Sequence, residues 1–190
     1  MKMLRILGLL GISAMAAVGC AKDADEATRT YPLPHELCGT QIDRESFDPV
    51  FPPGDTLETD AHITETTDKN TTATHNCVVT VDGSRAFSLS SIPATQADGV
   101  EDYISERGFT LDTDNPEYRS TGSYEIFTWP HIAVGFSNCT ESQLGNSGVG
   151  FIIDIGEEQK LKDIESLSAA LESYMDGRIS QIGPESCTFT

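Results

Sequence analysis

This 190-residue chain has five cysteines, and their side chains can take part in several kinds of reaction, because a thiol can be alkylated, oxidised to a disulfide or bound to a metal. Cys20 ends an apolar stretch near the amino terminus, and the other four follow at wide intervals, at Cys38, Cys77, Cys139 and Cys187. No C-x-x-C or H-x-x-x-H spacing occurs, so the pattern does not favour a zinc site. In an exported chain, the same wide intervals favour disulfides.

The first 19 residues have the organisation of a signal peptide. Lys2 and Arg5 give a positively charged start, residues 4–18 are mostly apolar, and small residues precede Cys20. The apolar stretch is shorter than the roughly 20 residues that a membrane-spanning helix needs. We therefore predict that residues 1–19 are removed on export. An ordinary secretory leader with an incidental cysteine is the alternative.

The segment Ala17-Val18-Gly19-Cys20 resembles the lipobox of bacterial lipoproteins, with alanine where leucine is commoner. This resemblance implies that Cys20 carries a diacylglycerol thioether and becomes the first mature residue. Two or three acyl chains hold a protein on a membrane, since each buried methylene contributes roughly 0.8 kcal/mol. We expect residues 20–30 to form a lipidated flexible tether and residues 31–190 a single domain on the extracytoplasmic face of the cell membrane.

An even number of cysteines in an exported domain predicts two disulfides. The four cysteines allow three connectivities, which the sequence alone does not separate. We favour Cys38 with Cys77 and Cys139 with Cys187, because this pairing closes one loop in each half of the domain. Each bridge would stabilise the fold by about 4 kcal/mol.

The chain is strongly acidic. It has 12 basic and 30 acidic residues, and its net charge of −18 becomes −20 once Lys2 and Arg5 leave with the leader. Such a charge repels nucleic acid and anionic lipid headgroups, so nucleic acid is not an expected partner. The acidic residues are spread along the chain, and we interpret them as an adaptation to the surroundings. A cationic partner is the alternative.

His75 and Ser147 are the pair that suggests nucleophilic catalysis. The segments around them, Thr74-His75-Asn76-Cys77 and Gly145-Asn146-Ser147-Gly148, resemble the histidine and serine segments of trypsin-like proteases. His75 would activate Ser147, amides near Gly145 would form the oxyanion hole, and the orienting carboxylate would be Asp98, Asp102 or Asp112. However, a sequence separation of 72 between His75 and Ser147 leaves too little chain for that double-barrel fold. A serine hydrolase is therefore only an alternative, and we predict that residues 146–148 form a turn.

Two further clusters give weaker indications. Asp112, Asp114 and Glu117 suggest calcium ligands, but Glu117 stands where an EF-hand has glycine, so we predict a solvated acidic turn. The aromatic residues Tyr124, Phe127 and Trp129 lie close together, and we predict that they pack in the core, with a ligand-binding surface as the alternative.

The remaining histidines lie far apart in the sequence, at His35, His62 and His131. Walker, G-x-G-x-x-G, H-E-x-x-H and G-x-S-x-G motifs do not occur. We therefore expect no cofactor and no metal.

Period-two alternation predicts the strands that must hold these residues. A run from Thr56 alternates weakly, and THNCVVTV (residues 74–81) places Cys77, Val79 and Val81 on one face. The Asp82-Gly83 turn predicts a hairpin with the strand that contains Phe87 and Leu89. Three more strands are predicted, from the segments YEIFTW, HIAVGFSNC and GVGFIIDI.

Capping signals and apolar spacing predict the helices. Asp43 caps one or two turns through Phe47, a second helix spans 95–108, and a long amphipathic helix spans 158–181 before Gly183-Pro184. We predict an α+β fold in two layers, in which the long C-terminal helix covers a mostly antiparallel sheet of five or six strands.

Several segments resemble a family of uncharacterised actinobacterial lipoproteins of the Streptomyces type, namely LCG, F-PPG, NCVVTVDG, ATQAD-VEDYI and SNC. The resemblance implies an exported, lipid-anchored domain without an assigned activity. Three function classes follow: a non-enzymatic binding or accessory module with a partner protein in the cell envelope, which we prefer, a surface serine hydrolase, and a structural acidic surface protein.

Overall fold

The fold is α+β and rests on a mostly antiparallel sheet. The computed structural model describes residues 28–64, 74–94, 116–121, 124–137, 148–156, 158–159, 161 and 163–182. Within these ranges, seven strands form one sheet, two short strands form a hairpin, and one long helix lies near the carboxyl terminus. Among the described strands, every neighbouring pair is antiparallel.

The elements follow in the order β1 (Glu36–Leu37), β2 (Thr40–Gln41), α1 (Arg44–Phe47), β3 (Leu57–Thr64), β4 (Thr74–Val81), β5 (Ser84–Ala94), β6 (Glu117–Ser120), β7 (Glu125–Thr128), β8 (Ile132–Ser137), β9 (Gly148–Asp154) and α2 (Ile164–Ile182). The large sheet has the strand order β3-β4-β5-β9-β8-β7-β6. Two meanders therefore meet at β5 and β9, and β3 and β6 are the edges of the described sheet.

Residues on both faces of the central strands are buried, which explains why β9 reads as a continuous apolar run. One face joins α2 in the main core, and Trp129, Ile132, Val134 and Ile152 form a separate apolar cluster on the other face. All seven residues of β9 are buried, Asp154 included. Alternating polar residues are expected only where one face of a strand meets water. The predicted packing of a helix layer on a sheet layer is found on the α2 face of the sheet. Apolar residues are also buried on the opposite face.

The predicted hairpin of β4 and β5 is confirmed. Cys77, Val79 and Val81 are buried on one face, and Asp82 and Gly83 both have positive φ, at 50° and 75°, as the tight turn requires. The ladder slips by one residue at Ala86, between the pairs Val79–Phe87 and Thr80–Arg85. This bulge buries Ala86 and Phe87 together.

The amino-terminal segment is fastened to the sheet by the first predicted disulfide. Cys38 lies in the turn between β1 and β2, and it is bonded to Cys77 of β4. The pairing of Cys38 with Cys77 is confirmed, whereas Cys139 and Cys187 lie outside the described residues, and their bridge stays a prediction. Bonding to the domain also begins before Tyr31, because Thr30 N–H donates to Gly54 O at 2.9 Å.

The C-terminal helix is confirmed, but its predicted start at Glu158 is wrong. Helix α2 begins at Ile164, because Asp163 accepts from the Glu165 amide at 3.0 Å and so caps the first turn. Its apolar stripe, Leu167, Leu171, Tyr174, Met175 and Ile179, is buried against the sheet. Each such side chain contributes roughly 1.5–3 kcal/mol by burial. The glycine at 135 allows the close approach, since a Cβ there would overlap the Met175 sulfur.

The predicted number of five or six strands is too low. The missed strand is β6, whose four residues are all exposed and show no alternation. Glu117, predicted to lie in an acidic turn, is the first residue of β6 and pairs with Thr128 of β7. Asp112, Asp114 and the predicted helix 95–108 lie outside the described residues. The prediction for α1 holds, since Asp43 caps it by accepting from the Ser46 amide at 3.0 Å.

Candidate functional site: an acidic groove beside the C-terminal helix

A groove of about 600 Å³ runs between α1, α2 and edge strand β6. Polar side chains from all three elements line it, namely Asp43, Ser46, Arg119, Glu172, Ser173 and Asp176. A second depression of about 430 Å³ lies beyond Arg119 and adds Glu117 and Glu165 to the same side of α2. Together they form a trough along the helix, which we call the acidic groove.

Helical spacing brings the α2 side chains of the acidic groove together. Glu165, Glu172 and Asp176 are separated by seven and four residues, so they share one face of the helix. That face is exposed or half-buried, while the face with Leu171 and Met175 is buried against the sheet. The packing of the apolar stripe therefore fixes where the acidic stripe points.

Asp43 joins α1 to α2 at one end of the acidic groove. Its carboxylate accepts from the Ser46 hydroxyl at 2.6 Å and from the Ser46 amide, and its own amide donates to Ser173 Oγ at 2.7 Å. The hydrogen bond from the Ser46 hydroxyl, and next that from the amide, lower the pKa of Asp43. This carboxylate is therefore ionised at neutral pH.

Strand β6 and the residue before β7 complete the acidic groove. Arg119 Nη2 lies 3.3 Å from Glu172 Oε2, with about half of the arginine side chain exposed. The Tyr124 hydroxyl donates to Asp176. Burial, and then the hydrogen bond to Asp176, raise the pKa of Tyr124, so the phenol stays a donor.

The charge of the acidic groove is unbalanced. Asp43, Glu172 and Asp176 line its larger part, and Arg119 is the one basic residue among its lining groups. Glu117 and Glu165 extend the excess into the smaller part. Carboxylates and serine hydroxyls accept hydrogen bonds, so the acidic groove can bind an ammonium or guanidinium group. Its lining groups include no histidine, so this part of the chain offers no serine–histidine pair.

A depression of about 640 Å³ lies on the other side of α1 and shares Asp43 with the acidic groove. Its other acidic residues are Glu45 and Asp48, and Asp48 is paired with Arg29. The lining also includes Arg44, whose Nη1 lies 3.1 Å from His35 Nε2. Three carboxylates thus stand with two arginines here, whereas the acidic groove has five carboxylates and one arginine.

The predicted catalytic residues do not meet in the described part of the chain. His75 lies on β4, where burial and then the charge of Arg178 lower its pKa. Ser147, Gly145, Asp98, Asp102 and Asp112 lie outside the described residues, as does the predicted lipidation site Cys20. The serine hydrolase and the lipid anchor therefore stay predictions.

Core packing is confirmed for Trp129 and Tyr124, which are buried. Phe127 is half-buried beneath Tyr118, with the two ring centres 5.1 Å apart. The three other histidines are dispersed, since His131 is buried, His62 pairs with Asp60 and His35 lies beside Arg44. Within the described ranges, no group of three or more acidic, histidine or cysteine side chains is placed to hold a metal ion.

Sequence reasoning missed the acidic groove because its parts are distant in the chain. Asp43 and Ser173, which are hydrogen-bonded, stand 130 residues apart. The spacing of Glu165, Glu172 and Asp176 was visible, but a charged stripe usually marks only the solvated face of a helix. No described helix combines the length and apolarity needed to cross a membrane. Comparisons with protein-family models, curated proteins and solved structures gave no match for this chain.

Proposed function

We propose that this protein is a non-enzymatic binding module of the cell envelope, lipid-anchored at Cys20, that binds a cationic ligand in the acidic groove. The observation that carries the proposal is the excess of carboxylates in one trough between α1, α2 and β6. The leader and its lipobox support the location, as does the resemblance to actinobacterial lipoproteins.

The positions of the acidic residues in the fold change our interpretation of the acidic composition. Evenly spread charge needs no partner, but the fold concentrates Asp43, Glu172 and Asp176 around one groove. Long-range attraction from the net charge of −20 that remains after processing would speed the approach of a cation, and the groove would then orient it. Arg119, paired with Glu172, stands where an incoming cation would compete for the same carboxylate. The ligand class that fits best is a lysine- or arginine-rich peptide segment.

Calorimetric titration of the full mature chain, in a nonionic detergent, with a hexalysine peptide tests this function. The double variant Glu165→Gln/Glu172→Gln removes two groove charges and should weaken binding about threefold to tenfold, because each exposed charge pair contributes about 0.2–1 kcal/mol. The matched control is Glu58→Gln/Asp60→Asn, which removes two charges from the exposed edge strand β3. Equal weakening by both pairs would show that only net charge matters, and absence of binding by the unmodified chain would refute the proposal.

A further inference from the structure

Arg178 is a buried guanidinium without a carboxylate partner among the described residues. It lies on α2 and is 7% exposed. Its Nε donates to Ser91 Oγ at 3.3 Å, its Nη1 donates to Gln181 Oε1, and no acceptor for Nη2 is found in the described ranges. Three more exposed arginines, Arg29, Arg85 and Arg119, each pair with a carboxylate, and a fourth, Arg44, lies beside His35.

The groups around Arg178 are neutral at pH 7. Tyr174, one turn earlier on α2, hydrogen-bonds to Ser91, and burial raises its pKa further above neutrality. His75 stands opposite Ser91 in the β4–β5 ladder, and burial, followed by the charge of Arg178, lowers the pKa of this ring. Burial lowers the pKa of Arg178, but an arginine guanidinium is not deprotonated in proteins, so the group stays charged. Among the described residues, no carboxylate compensates this positive charge.

An uncompensated buried charge is costly, and proteins normally pair it. This chain has 30 acidic residues available, yet its most buried described arginine contacts only hydroxyl and amide oxygens. A planar guanidinium with a free edge matches the two oxygens of a carboxylate or phosphate. His75 is half-buried and Gln181 is exposed, so the cluster is open to solvent on that side.

We propose that Arg178, with His75 beside it, forms a binding site for a small oxyanion, either a carboxylate or a phosphate group. The oxyanion would accept from Arg178 Nη2 and from the His75 ring. The site differs from the acidic groove, because Tyr174, Arg178 and Gln181 follow another stripe of α2 from Glu172 and Asp176. Its ligand has the opposite charge, so either site can fail without the other.

Titration of the full mature chain with inorganic phosphate, and separately with acetate, tests the site. Ionic strength is held constant with chloride, and the His75 ring is followed by NMR, with its signals assigned through His75→Gln. An anion beside the imidazolium favours the charged form, so saturating anion should raise the pKa of His75. A saturable response to either anion supports the site, and the stronger one identifies phosphate or carboxylate. No saturable response by about 50 mM, where a single charge-assisted pair would be detected, overturns it.

A pair of variants separates this site from general anion binding. Arg178→Met removes the buried charge while keeping length and should weaken the anion response about tenfold or more, since hydrogen bonds to charged groups contribute about 1.5–3 kcal/mol. Arg44→Met removes an arginine of α1 that lies beside His35, outside both proposed sites, and should leave the response unchanged. An anion response that survives Arg178→Met contradicts the proposal. If that variant does not fold, the His75 titration of the unmodified chain decides.

Discussion

Gly177 is the residue at which α2 passes closest to the β1–β2 hairpin. A Cβ at this position would overlap the Gln41 carbonyl oxygen and lie 2.8 Å from Thr40 Cγ2. Gly→Ala in an open helix is normally stabilising by about 1 kcal/mol. Here we expect Gly177→Ala to lower the free energy of unfolding by about 1–3 kcal/mol, because backbone on the hairpin must move.

Urea unfolding followed by circular dichroism measures this effect. Ser180→Ala, at an exposed position one turn later, is the control and should change the free energy of unfolding by less than about 0.5 kcal/mol. Stabilisation by Gly177→Ala would mean that the hairpin is not held against the helix.

Asp82 makes stability depend on pH through the β4–β5 turn. Its carboxylate accepts from the Thr56 amide at 2.8 Å, the Thr56 hydroxyl at 2.9 Å and the Asp55 amide at 3.1 Å. The backbone hydrogen bond from Thr56, followed by that from its hydroxyl, lowers the pKa of Asp82. A group with a lowered pKa in the folded state stabilises the fold above its unfolded pKa of about 3.9, and this contribution is lost as the pH falls through the folded value.

We therefore expect Asp82→Asn to be less stable than the unmodified chain at pH 6, and the difference to shrink as the pH falls below about 4. Asparagine tolerates the positive φ of this position, so the backbone is not the cause. Urea unfolding at several pH values measures the difference. Glu58→Gln, on exposed strand β3, is the control, and a gap for Asp82→Asn that stays constant with pH would contradict the assignment.

At the scale of elements, the disulfide between Cys38 and Cys77 holds the β1–β2 hairpin on the sheet. The bridge closes a loop with a sequence separation of 39 residues, and loop closure of this length stabilises the fold by about 4 kcal/mol. We expect Cys38→Ala/Cys77→Ala to lose about 2–4 kcal/mol of unfolding free energy. The matched variant Cys139→Ala/Cys187→Ala tests the second predicted bridge. Peptide mapping that finds Cys38 joined to any cysteine other than Cys77 would refute the connectivity.

The elements that the sequence predicted correctly have local causes. The β4–β5 hairpin was predicted because Asp82-Gly83 suits a turn with two positive φ angles and buried Val79 alternates with half-buried neighbours. The start of α2 was misplaced because Leu161 continues the apolar spacing of the helix, while the capping signal of Asp163 was overlooked. Strand β6 was missed because an exposed edge strand needs no alternation.

The candidate sites could not be predicted in the same way, because their causes are not local. Whether Glu172 meets Arg119 and Asp43 depends on which edge of the sheet α2 lies against. Likewise, Arg178 follows the spacing of the apolar face of α2, and nothing in that spacing indicates its contacts. Its burial against Ser91, 87 residues earlier, follows from the tertiary packing.

For the molecule as a whole, the two proposed sites use opposite sides of one helix. The same apolar stripe that packs α2 on the sheet sends Glu172 and Asp176 toward α1 and β6, and Arg178 toward β5. Binding at either site would therefore depend on how α2 packs against the sheet. Loss of the disulfide at Cys38 should weaken both sites together, since the β1–β2 hairpin also contacts Gln181 through Gly39.

We propose that Cys20 alone attaches the protein to the membrane, because the net negative charge of the chain is repelled by a bilayer with anionic headgroups. A net charge of −20 after processing opposes adsorption to anionic headgroups. In a bacterial host that processes lipoproteins, the unmodified protein should partition into detergent and incorporate labelled palmitate. Cys20→Ala should lose the label, and any processed material should become water-soluble, since the net charge of −20 opposes adsorption to anionic headgroups. Cys139→Ala keeps Cys20 and should stay labelled. Labelling of Cys20→Ala, or an unlabelled and freely soluble unmodified protein, would contradict the anchor and with it the envelope location.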